Sequence, residues 1–205
     1  MEKELVLEEK IKLLDEAIKA YERLLDLKYL ITLAHKGKRS YLELIFLASG
    51  FVQLAGINKL KDLSRNSNMK SIYRELKHEV KLKKRIINSL FFSRIIPRLQ
   101  TIIKLEENFS NYTSNNYVKF IQKNSLLYSL IDYDYLVKSN LGGDNYYYFI
   151  RKSSDDRDND SFILISTFVD NIKNYSLGQQ LMSLLSKVLI NTKTGEEFVI
   201  YNLIK

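Results

Sequence analysis

The 205-residue chain has no cysteine, no tryptophan, one proline (Pro97) and two histidines, His35 and His78. Without cysteine there is no disulfide framework, no zinc–thiolate site and no thiol nucleophile, as expected in a reducing compartment. The two histidines fall in different predicted elements, which argues against a two-histidine metal site or a paired acid–base couple. His78 sits in Lys77-His78-Glu79 as an exposed helix residue, and His35 sits in a turn. No apolar run approaches the ~18 residues of a membrane span. The longest, Leu44 to Phe51, is broken by Ser49 and Gly50. The opening residues MEKELVLEEKIK alternate charge with apolar groups and do not make a secretory signal. A cytoplasmic protein without membrane contact is expected. The Gly-x-Gly-x-x-Gly, P-loop, His-Glu-x-x-His and Gly-x-Ser-x-Gly patterns are all absent, so nothing supports a Rossmann, P-loop, zincin or α/β-hydrolase reading.

What the chain does have is positive charge, and it is concentrated. The net charge is +8, and Arg65 to Lys104 alone holds eleven Lys or Arg against Glu75 and Glu79. Such a stretch is the footprint of nucleic-acid contact, or else one solvated helix face.

The order of elements predicts an α+β fold. Leu7, Ile11, Leu14, Ile18, Tyr21 and Leu25 follow a 4-3-4-3-4 spacing, so residues 1–27 form an amphipathic helix. That seam packs on its own domain, with a homodimer through this helix as the alternative. Residues 28–205 read as a single domain. Its first part is a β-hairpin, Lys28 to Ala34 and Tyr41 to Leu47, around the polar turn His35 to Ser40. A short helix follows from Phe51, then a polar break from Ser64 to Asn68.

Basic helices are expected over about 65–108, with Pro97 near a helix start or kink. Asn108 to Asn116 reads as a loop. A mainly antiparallel sheet fills about 117–203, with strands at Tyr117–Gln122, Tyr135–Ser139, Tyr146–Lys152, Phe162–Phe168, Lys187–Asn191 and Glu197–Asn202. No cofactor or metal is implied. The acidic run Asp155, Asp156, Asp158 and Asp160 lacks the Gly and closing Glu of a calcium loop. Asp132 and Asp134 are a turn or a ligand pair. Arg94 and Arg98 are four residues apart, so on an unbroken helix they clamp one anion together.

The run Leu44-Ile-Phe…Phe51-Val-Gln-Leu-Ala-Gly-Ile-Asn-Lys-Leu-Lys-Asp62 resembles the phage-associated nuclease-like domains grouped with Barnase, EndoU, colicin and RelE-type ribonucleases. So do Asn88-Ser89 with Arg98, Ile131-Asp-Tyr-Asp-Tyr135, Tyr146-Tyr-Tyr-Phe149 and Ile190-Asn-x-x-Thr-Gly-Glu196. The resemblance spans most of residues 25–200. It implies a Barnase/RelE-like sheet and metal-independent cleavage of RNA, as a toxin or in phage–host conflict. The other readings are an inactive nucleic-acid-binding relative, or a module that binds an acidic protein partner or antitoxin.

On this resemblance the catalytic candidates are Gln53, Lys59, Lys61, Arg98 and Lys187. Arg85, Arg94, Lys83, Lys84, Tyr148 and Thr167 would contact nucleic acid, and Ser166 would add a hydroxyl. The family pattern has His where this chain has Gln53. If that His is the acid or base, Gln53 leaves the reaction without it; if it is structural, an amide replaces part of its hydrogen bonding. No other proton-transfer group stands out beyond His35 or a lysine of lowered pKa.

Overall fold

The computed structural model describes residues 6–63, 68–111, 115–121, 131–154 and 161–204. The polar break at 64–67, positions 112–114 of the expected loop, Gln122 and the acidic run from Asp155 to Asp160 lie outside the described residues.

Helix α1 (Leu7–Leu24) carries Glu8 and Glu9 in its first turn and Arg23 in its last, both favourable to the helix dipole. The Glu9 carboxylate accepts the Val6 N–H at 2.9 Å. From Leu14 onward its seam is buried within the chain's own core, with Leu14, Ala17, Ile18, Tyr21 and Leu24 at most 4 % exposed, while Leu7 and Ile11 are exposed. The Tyr21 hydroxyl donates to the Leu47 carbonyl at 2.9 Å. Its oxygen lies 2.5 Å from where a Cβ on Gly50 would stand, so any side chain there would force Tyr21 to move.

Strands β1 (Leu27–His35) and β2 (Lys38–Ile45) form the expected hairpin. Its two-residue tip puts both Lys36 (φ 48°) and Gly37 (φ 77°) in the left-handed region, the turn whose twist matches paired strands. Helix α2 (Ala48–Ala55) ends at Gly56 in the same conformation, and a single 3₁₀ turn, Ile57–Lys59, follows.

The basic stretch is not one long helix but a series of short ones. They are α3 (Met69–His78), α4 (Val80–Ile87), a 3₁₀ turn at Phe92–Arg94, α5 (Ile96–Ile103) and α6 (Leu105–Ser110). Pro97 sits in the first turn of α5, where its missing N–H costs nothing.

The remaining strands are β3 (Asn115–Lys119), β4 (Tyr135–Leu141), β5 (Asp144–Lys152), β6 (Ser161–Val169), β7 (Gln180–Asn191) and β8 (Glu197–Asn202). They overturn the expectation of a mainly antiparallel sheet of the Barnase/RelE-like type. The order β1-β2-β6-β5-β4-β3-β7 closes on itself because β7 also pairs with β1, making a seven-stranded barrel with β8 added to β7. The sheet is mixed: β2 runs parallel to β6, with α2 to α6 and three strands in the long connection between them.

The N-terminal hairpin thus completes the sheet rather than standing apart from it, and closure pairs both sides of the seven barrel strands, leaving β8 as the edge strand. Strand β7 begins at Gln180, well before the expected Lys187, because Gln180 to Met182 pair with β3 while Ser183 to Asn191 pair with β1.

The helices and the inward side of the barrel share one apolar core. Phe109 of α6 stands between strands on opposite walls, its ring 5.4 Å from Tyr29 of β1 and 5.2 Å from Tyr148 of β5. Polar contacts fasten α6 there: Ser139 Oγ donates to Asn108 Oδ1 at 2.5 Å, and Lys187 Nζ donates to the Phe109 carbonyl. A second cluster, with Tyr133, Tyr147, Phe149 and Ile165, covers the other side of β4, β5 and β6. The Tyr146-Tyr-Tyr-Phe149 run is therefore buried on both faces. Among the described residues, no helix is long and apolar enough to cross a membrane.

Candidate active site

Where α2, the 3₁₀ turn behind it and α5 meet strands β5 and β6, the surface opens into a cleft of about 260 Å³. Gln53 comes from α2, Asn58 and Lys59 from the 3₁₀ turn, and Arg98 from α5. Asp132 precedes β4, Arg151 lies near the end of β5, and Ser166 lies on β6. Among the described residues, three cations, one carboxylate, two amides and a hydroxyl share this small volume.

Local structure explains the convergence. The αL cap at Gly56 stops α2 and turns the chain so that Asn58 and Lys59 border the same cleft as Gln53. The Arg98 stem then passes over Gly56, and its guanidinium donates to the Leu54 carbonyl at 3.3 Å. On the barrel side the register slips between β5 and β6: Phe149 faces Ser166 but Ile150 faces Leu164, leaving Ile165 as an extra residue. This bulge lets sequence neighbours Ile165 and Ser166 both border the cleft, which strict alternation would forbid.

The electrostatics are those of a partly desolvated cationic site. Burial holds the Lys59 ammonium below its ordinary pKa, and Arg98 beside it pushes in the same direction. Burial also lowers Arg98, although a guanidinium stays charged at any working pH. Cations crowded in a partly desolvated pocket attract an anion more strongly than the same groups in open water.

Of the residues named from the sequence, Gln53, Lys59, Arg98 and Ser166 come together in this cleft. Lys61 is exposed just beyond it and is not among its lining residues. Arg94 is separated from Arg98 because the helix breaks at Ile95; it is exposed, with its guanidinium stacked 4.7 Å over the Phe91 ring. Lys187, Tyr148 and Thr167 are each 0 % exposed and lie inside the barrel.

Lys83 is held by Asp15 of α1 at 2.7 Å, while Lys84 and Arg85 border a separate open groove with Lys81 and Asn88. The basic stretch is further neutralised by a Lys77–Glu22 pair and by Lys104–Glu107 at 2.8 Å. His35, whose Nδ1 is 3.0 Å from the Leu181 carbonyl, and His78, at the end of α3, line no part of the cleft.

Two motif fragments meet in a supporting contact. Asp62 accepts Ser89 Oγ at 2.7 Å and the Leu90 N–H at 3.0 Å, bonds that lower its pKa and tie the loop after the 3₁₀ turn to the end of α4.

Three polar cleft residues are given no catalytic or nucleic-acid-binding role by the sequence. Asp132 is marked there as half of an acidic pair, a turn or a ligand pair, within the Ile131-to-Tyr135 fragment. Asp134, its companion, accepts the Lys152 N–H at 2.7 Å and so pins the strand that carries Arg151. Asn58 lies within the Phe51-to-Asp62 motif but is given no role, and Arg151 has no local signal, since a single polar residue at a strand end has no periodicity to mark it.

These features define a class: a mixed barrel with a helical layer, presenting a compact cationic cleft suited to a phosphoryl group. The family profile described as phage-Barnase-EndoU-ColicinE5/D-RelE like nuclease 4 matches residues 13–203, and the chain belongs to that family. Neither a curated protein nor a solved structure gives a significant match.

Proposed function

We propose that the chain is a ribonuclease-like enzyme that cuts RNA without a metal, at the cleft between α2, α5 and the β5–β6 bulge. The observation that carries this reading is the meeting of Arg98, Arg151 and Lys59 with the carboxylate of Asp132 in a nuclease-family chain. Arg98 and Arg151 hold the non-bridging phosphoryl oxygens. Asp132 takes the proton of the ribose 2′-OH as that oxygen bonds to phosphorus. The bond from phosphorus to the 5′-oxygen breaks, and Lys59, made more acidic by burial, donates the proton that oxygen needs. The products are a 2′,3′-cyclic phosphate and a 5′-hydroxyl. Asn58, Gln53 and Ser166 orient the ribose and phosphate.

An end-labelled RNA incubated with the protein in EDTA tests this. The expected result is cleavage to cyclic-phosphate ends, abolished by Asp132→Asn. Intact RNA that shifts in a gel supports the second reading, a binding relative without catalysis, which Gln53 favours by placing an amide where the family pattern has His. Neither cleavage nor a shift at low salt, where phosphate contacts are strongest, removes both readings. The family's phage association and the +8 net charge support a toxin role in phage–host conflict, restrained by an acidic protein partner.

A further inference from the structure

Three depressions adjoin one another along the helical side of the molecule. The open groove, about 600 Å³, is bordered by Lys81, Lys84 and Arg85. An apolar pocket of about 350 Å³ lies between α2, α3 and α4, walled by Val52, Ile57, Leu60, Ile72 and Leu82. The cationic cleft is the third. Groove and pocket share Leu63 and Arg85, and pocket and cleft share Asn58. The neighbouring depressions are thus lined in turn by mainly cationic, apolar and cationic groups, matching the alternation of phosphate, base and phosphate along a single strand.

We propose that the apolar pocket receives one nucleobase of the bound strand, adjacent to the nucleotide whose phosphate lies on Arg98. This rests on the reading of the cleft as the site where RNA binds. The pocket is at the small end of the ~300–1,000 Å³ range of ligand sites, enough for one flat ring system and too small for a folded element. Its walls are aliphatic, so the ring is held by burial of its faces. Its polar lining residues are Asn58, Glu75 and Arg85.

The Glu75 carboxylate is fixed by Ser71 Oγ at 2.9 Å on the neighbouring turn of α3. An acceptor-only group held there favours a base that offers an amino hydrogen, as cytosine does from N4, and disfavours uracil. Single-strand recognition of RNA generally works this way, with a splayed base read on its edge.

The test is binding of fully 2′-O-methylated oligonucleotides, which present the same bases and phosphates and cannot be cut. An abasic position is moved along an oligo-C strand, and oligo-U is compared with oligo-C. One abasic position is expected to weaken binding ~10-fold. In Leu82→Trp, which fills the pocket, the intact strand binds ~10-fold more weakly and the abasic strand loses nothing further.

Glu75→Gln, a substitution on a partly exposed helix face, narrows the C-over-U preference and leaves the salt dependence unchanged; it keeps the proposal open to refutation if Leu82→Trp does not fold. A flat abasic scan, or an unaltered C-over-U ratio in Glu75→Gln, overturns the pocket assignment. A pocket that engages a protein side chain instead gives both results. Arg98→Ala separates the two levels: unchanged affinity and cleavage in that variant sink the cleft reading, whereas impaired Arg98→Ala with a flat scan overturns the pocket alone.

Discussion

Arg98 and Gly56 fit together through a missing side chain. A Cβ at residue 56 would lie 2.9 Å from Arg98 Cδ and 3.3 Å from its Nε, and the Gly56 backbone has φ 74°. The glycine that ends α2 is also the floor over which a cation of the cleft passes. Gly56→Ala is therefore expected to act twice. Left-handed backbone costs an L-residue about 1–2 kcal/mol, seen as a lower denaturation midpoint. The displaced guanidinium lowers catalysis ~10-fold or more. A variant that loses stability and keeps full activity would separate Gly56 from the site.

Arg98 and Arg94 should behave differently, although their spacing suggested a shared role. Arg98→Ala is expected to lower kcat by roughly 10²–10³, the usual scale for removing one preorganised charged group. Arg94→Ala loses only its stacking on Phe91, about 0.5–1 kcal/mol of stability, and retains full turnover. Single-turnover cleavage and thermal melts on both variants check this.

Gln53→His puts a titratable ring among Lys59, Arg98 and Asp132. Faster cleavage is expected, with a pH–rate profile that gains an ionisation absent from the parent. A rate and profile identical to the parent would show that position 53 takes no part in proton transfer.

Lys187 predicts an unusual pH dependence of stability. It is wholly buried, with its ammonium 4.9 to 5.9 Å from the ring centres of Phe109, Tyr29 and Tyr117, and burial pushes its pKa down to about 7. An unfolded chain holds that proton up to about 10.4, so between the two values the unfolded state binds more protons than the native one. The penalty is thus complete below pH 7, and stability rises with pH above it. Melting temperature measured from pH 6 to 9 should increase, and Lys187→Met should flatten that rise while raising the melting temperature at pH 6. A parent profile that falls over this interval contradicts the burial account.

Lys81 and Lys84 border the open groove and are exposed. Replacing both with Ala should lower the slope of log affinity against log salt by about 0.7 for each phosphate that is no longer neutralised. Lys83→Ala should change the slope less, because Asp15 already holds that ammonium. Filter binding over a salt series distinguishes the two.

Much of this molecule was legible in one dimension because the signals are local. The spacing of Leu14, Ile18 and Tyr21 marks α1, the polar turn at Lys36-Gly37 marks the hairpin, and the string of short motifs marks the nuclease family, which the match over residues 13–203 bears out. Pro97 at a helix start follows from its own chemistry. The Gly56-to-Asp62 run also displays its cations in sequence, which is why Lys59 was open to recognition, as Arg98 was among the later motifs.

Closure of the barrel was not legible, since β1 with β7 and β2 with β6 are pairings between distant segments. Hydrogen bonding between strands depends on backbone geometry and carries no residue signature. For the same reason Lys187 read as a cation available to a phosphate, although it lies among aromatic rings inside the barrel. Composition and periodicity by themselves determined the helices, the hairpin and the charge, and the short motifs determined the family. Only the tertiary structure decided which cations meet, because Arg98, Arg151 and Asp132 become neighbours through a glycine turn, a strand bulge and a closed sheet.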